Sequence, residues 1–159
     1  YPQGPGYPPQ RQGSGVKAFL LSWLTAGIGA MLFAGILFLS YEDLSKIGLR
    51  LMYLVFAIAL AVAVGGVAGR MGGPNPAAYI APAALAMVAC ITGVANGYLF
   101  SLMDAGGSDA LDAMMEHEPF APLKFWWEGT LKEGFALLGL AIAGGGAFGM
   151  ASLIGKKQR

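Results

Sequence analysis

Only 12% of the 159 residues are charged while 56% are hydrophobic, against roughly 25% charged in a soluble globular domain. That is too little charge to coat a water-exposed surface, so the chain reads as an all-α integral membrane protein. The net charge of +1 gives no electrostatic reason to bind nucleic acid, and the lone Cys90 excludes an intramolecular disulfide or a CxxC site.

Residues 1–15 form a Pro/Gly/Gln/Tyr-rich tail with almost nothing to bury. Such composition is expected to stay disordered unless a partner surface orders it. The numbering opens at Tyr1 rather than Met, so the sequence is expected to begin inside a longer gene product.

A hydrocarbon core of about 30 Å takes roughly 20 helical residues to cross. Four apolar runs meet that length, over Phe19 to Leu39, Leu51 to Ala68, Ala77 to Leu102 and Gly134 to Ile154. In lipid every backbone N–H and C=O must be paired internally, and the runs lack the alternation of barrel strands, so all four are predicted to be helices. The first run exceeds the apolar length of a secretory signal, and Phe38-Leu39-Ser40-Tyr41 offers no small-x-small cleavage site, so it is a retained span.

The division is then a tail (1–15), helices one to three (16–103), an acidic outer loop (104–133), and helix four with a basic end (134–159). Arg70-Met71-Gly72-Gly73-Pro74-Asn75-Pro76 is a turn that makes helices two and three antiparallel neighbours in an up-down bundle. Pro82 falls in the first turn or two of helix three, where proline is tolerated.

Arg11, Lys17, Arg70, Lys156, Lys157 and Arg159 share the side of both termini, whereas Lys46, Arg50, Lys124 and Lys132 lie on the other side with every acidic residue. The positive-inside rule therefore places both termini in the cytoplasm, and the expected location is the bacterial cytoplasmic membrane.

In the outer loop, Ser108 to Glu116 is predicted to be a short amphipathic helix with Ser108 or Asp109 as N-cap, Leu111, Met114 and Met115 on one face, and Pro119 as its stop. Asp109, Asp112 and Glu116 align on the opposite face beside His117 and Glu118. Their spacing matches neither an EF-hand nor HExxH, so they read as a solvated or partner-docking acidic face, with no metal expected. Phe125-Trp126-Trp127, between Lys124 and Glu128, reads as an anchor at the headgroup boundary or a docking spot for a neighbouring subunit.

Small residues recur every four positions: Ala26, Ala30 and Ala34; Gly65 and Gly69; Ala89, Gly93 and Gly97; Gly139, Ala143, Ala147 and Ala151; and Gly145 with Gly149. These stripes let helices approach closely, within the chain or against another subunit. The spans carry no Asp, Glu, Lys, Arg or His, which argues against proton relays, coupled transport and voltage sensing. Thr92 and Asn96 share a side of helix three and are expected to make interhelical hydrogen bonds, and Cys90 is expected to be a packing residue.

No nucleophile-base pair, phosphate loop or haem-ligating pair is present, so no catalytic, cofactor-binding or metal-binding residue is expected and the chain is not read as an enzyme. The expected role is a non-catalytic structural or accessory subunit of a larger membrane complex, touching lipid and other integral membrane subunits or copies of itself. The alternative is a small homo-oligomeric channel or facilitator lined by Thr92, Asn96 and Ser101.

Overall fold

Runs of Ala, Leu, Val and Ile without internal charge close their backbone hydrogen bonds within one helix. The computed structural model describes residues 14–40, 42–43, 45–128 and 132–157, and of Lys46, Lys132 and Glu133 only the backbone. Most of the expected tail, residues 1–13, lies outside the described residues. Helices run over Gly15–Ser40 (α1), Lys46–Gly72 (α2), Ile80–His117 (α3), Ala121–Glu128 (α4) and Lys132–Lys156 (α5), with a 3-10 turn at Pro76–Tyr79 before α3. Four of them, α1, α2, α3 and α5, are long and apolar enough to cross a membrane.

Local chemistry sets several helix ends. Ser45 Oγ accepts the Gly48 N–H at 3.1 Å and caps α2. That helix stops at Gly73, whose φ of 64° suits a residue without Cβ, and Asn75 Oδ1 accepts the Ala77 N–H at 3.2 Å to start the 3-10 turn. Pro82 is the third residue of α3, where its missing N–H has no intrahelical acceptor to lose.

From sequence the third span ends near Leu102 and a separate short helix covers Ser108 to Glu116; in the structure α3 breaks at Gly107 (φ 63°, ψ −157°), so two helical pieces, one up to Gly106 and one from Ser108 to His117, meet there at a kink. The first piece runs past Leu102 because charge at Asp104 limits a span in lipid but does not end a helix, whose backbone bonds persist in water. Gly107 makes that break, because its positive φ suits a residue without Cβ.

The turn at Gly73 sets α2 and α3 antiparallel, but the closest packing joins α2 to α5 and α1 to α3. Both are parallel pairs by their register. A Cβ added at Gly65 would lie 2.6 Å from the Ala147 carbonyl oxygen, and one at Gly69 would lie 2.7 Å from that of Ala151. In the other pair, a Cβ at Gly93 would lie 3.1 Å from the Phe33 ring and one at Gly97 would lie 2.6 Å from Leu37 Cδ2.

Phe33 of α1 stacks on Phe56 of α2, with centroids 4.1 Å apart. Among the described residues α1 and α5 do not meet, and Phe33, Tyr53, Cys90 and Val94 are buried in one continuous core. By contrast, Gly145 and Gly149 face open space.

Candidate functional site

Where α1 ends and α2 and α5 begin, the molecule carries its acidic segment. Pro119 cannot continue α3, and the chain reverses through Glu118 N–H to Met114 C=O (2.7 Å) and Ala121 N–H to Glu118 C=O (3.0 Å). The turn launches α4 back along the helices and directs Trp126 inward, leaving it 7% exposed.

A buried indole N–H needs an acceptor. Trp126 Nε1 donates to the Tyr53 hydroxyl at 3.1 Å, and that hydroxyl donates to the Ala136 carbonyl at 3.0 Å. One phenol thus ties α4, α2 and α5 together. Its ring occupies the place a Cβ would take at Gly139, so only glycine leaves room for it.

Around this relay lies an aromatic collar. Trp127 packs on Trp126 with centroids 5.6 Å apart, Phe125 packs on Tyr98 at 5.1 Å, and the Arg50 guanidinium sits 5.1 Å from the Phe135 ring centre. The last is a cation–π distance.

The apolar residues expected on one face of the Ser108 to Glu116 helix divide between two surroundings. Met114 is buried and Leu111 partly so, while Met115 is 58% exposed. Phe120 and Leu123 are also exposed, at 67% and 46%. Asp104, Asp109, Asp112, Glu116, His117 and Glu118 surround them in sequence and are all exposed. Among the described residues no three of His, Cys, Asp and Glu gather closely enough to hold a metal.

No known family, curated protein or solved structure matches this chain. Its chemistry must therefore be read from its own side chains.

Within the helices the polar groups are few and mostly committed. Thr92 Oγ1 donates to the Val88 and Ala89 carbonyls of its own helix, and Ser101 Oγ to that of Gly97. Asn96 Nδ2 reaches across to Met31 Sδ of α1 at 3.8 Å. Cys90 is buried and free. A cleft of about 340 Å³ between α1 and α2, floored by Gly29, Phe33, Met52 and Phe56, has Thr25 as its only polar lining side chain. Thr25 Oγ1 is bonded to the Leu21 carbonyl at 2.7 Å. Such a cleft offers apolar contact and no group poised for proton or acyl transfer.

Sequence reading missed Tyr53 and Tyr79, and gave Gly139 only a place in a packing stripe. A tyrosine inside an apolar run is the available signal, because its hydroxyl needs a partner once buried.

Proposed function

We propose that the chain is a non-catalytic structural or accessory subunit of a larger membrane protein complex. The observation that carries this reading is the fixed helical segment at the acidic end. It is held to the spans by Trp126 and Tyr53, yet presents Met115, Phe120 and Leu123 to the outside among five exposed carboxylates. Apolar side chains held out on an acidic scaffold suit a partner subunit better than an anionic lipid surface.

In this proposal the four long helices form an up-down bundle in a bacterial cytoplasmic membrane, with both termini in the cytoplasm and the acidic segment outside. The six-to-four distribution of basic residues supports that orientation. The small-residue stripes serve packing.

The test is mild-detergent purification from the native source with identification of co-migrating chains. Changing Met115, Phe120 and Leu123 together to Ser, or removing residues 1–15, should release a partner while leaving the helices inserted. Retention of every partner by both variants would refute the reading.

The facilitator alternative draws on one feature, the outward placement of Thr92 and Asn96, which only several copies together would turn into a pore lining. Selective solute flux through the purified chain in liposomes would favour it.

A further inference from the structure

We infer that the outward face shared by α1 and α3, centred on Asn96 and Met31, binds a second copy of this chain within the membrane. This inference rests on membrane insertion alone and does not depend on the accessory role.

About 12 Å of helix separates Asn96 from Asp104, the first charged residue beyond it. That depth places the carboxamide among lipid tails, which neither donate nor accept hydrogen bonds. A primary amide has two donor hydrogens and an acceptor oxygen, and the only hydrogen-bond partner of Asn96 among the described residues is the weakly accepting Met31 thioether at 3.8 Å. Asn96 is only partly buried, so the group remains accessible from outside the chain.

The adjoining face of α1 is shaped for close approach. Gly27 and Gly35 lie one turn either side of Met31, and a Cβ at either would meet nothing within 4 Å. A shallow depression over Gly27 is walled by Trp23, Leu24, Ile28 and Met31. Small residues beside a hydrogen-bonding amide are what brings membrane helices together in the absence of a hydrophobic drive.

The occupant follows from the chemistry of the amide. Donor and acceptor reside in one group, so Asn96 is complementary to itself across a two-fold axis, as an isologous interface requires.

The test uses the full chain in phosphatidylcholine vesicles, with donor- or acceptor-labelled copies carrying Ser108→Cys. Energy transfer is followed as protein is diluted in lipid. Wild type should show saturable self-association. Asn96→Ala and Gly27→Leu should each raise the dissociation constant roughly 3- to 30-fold, whereas Asn96→Gln retains most of the affinity. Helical circular dichroism and flotation with vesicles should not change in any variant. Gly27→Leu adds its side chain to open space, so it probes the face even where Asn96→Ala impairs folding.

Transfer no greater than random proximity for wild type would overturn the inference. Equal transfer in wild type, Asn96→Ala and Gly27→Leu would overturn it as well. Failure of the wild-type chain to float would instead refute membrane insertion.

Discussion

Tyr53 and Tyr79 are both buried against glycines of α5, Gly139 and Gly155, which about 24 Å of helix separates. They hold different things. The Tyr79 hydroxyl donates to the Gly73 carbonyl only six residues away, closing a turn that Gly, Pro and Asn already shape. The Tyr53 hydroxyl joins residues far apart in sequence, Trp126 and Ala136, and secures a helix on a long connection. The difference shows what connection length demands. A short link is set by backbone chemistry, whereas a long one must be pinned by side chains against the entropy of its free ends.

The largest effect should separate the two seats. Gly139→Ala would drive a methyl into ring carbons of Tyr53, so it should cost about 3 kcal/mol or more in detergent melting. Tyr53→Phe should not rescue it, because the ring itself is in the way. At the other end, a Cβ on Gly155 meets the Tyr79 hydroxyl and, at 2.5 Å, the Gly73 carbonyl oxygen. There Tyr79→Phe should recover part of the loss, and equal rescue at both ends would erase the distinction.

Next in size is the relay itself. Tyr53→Phe should cost about 1–3 kcal/mol by leaving the buried Trp126 N–H unpaired, and Trp126→Phe about 1 kcal/mol, since the Tyr53 hydroxyl keeps its bond to Ala136. The double variant should cost less than their sum, because both break one contact. A red-shifted Trp emission in Tyr53→Phe would report release of α4, and an unchanged spectrum would mean that packing alone holds it.

Gly107 makes a smaller contribution. Its φ of 63° disfavours a side chain although the space around it is open, so Gly107→Ala should cost about 1 kcal/mol. The same change should weaken presentation of the Met115 segment without disturbing the Tyr79 end. Smallest of all is Ser22, buried with no hydrogen-bond partner for Oγ among the described residues. Ser22→Ala should be neutral or stabilising by up to about 1 kcal/mol, and marked destabilisation would reveal a hydrogen bond to that hydroxyl.

How much was legible from sequence follows the same division. Apolar run length and the Gly73-Pro74-Asn75-Pro76 turn reveal the four long helices, because lipid leaves the backbone no alternative. The pairing of α2 with α5 was not legible, since Gly65 and Gly69 show that a helix can be approached closely without saying by which neighbour. The kink at Gly107, where α3 breaks into two helical pieces, was not read from the sequence. At the candidate site, the Phe125-Trp126-Trp127 run was conspicuous, but its inward turn was not. That turn depends on the Tyr53 hydroxyl, more than seventy residues earlier in the chain and visible only once the helices are packed.

The central claim is that four helices cross a membrane and leave the acidic segment on the face opposite both ends of the described chain. Single cysteines introduced at Ser14, Ser108 and Lys157, challenged with a membrane-impermeant maleimide in sealed oriented vesicles, test it directly, since native Cys90 is buried. Ser14→Cys and Lys157→Cys should react together from one face and Ser108→Cys only from the other. Reaction of all three from the same face would contradict the account.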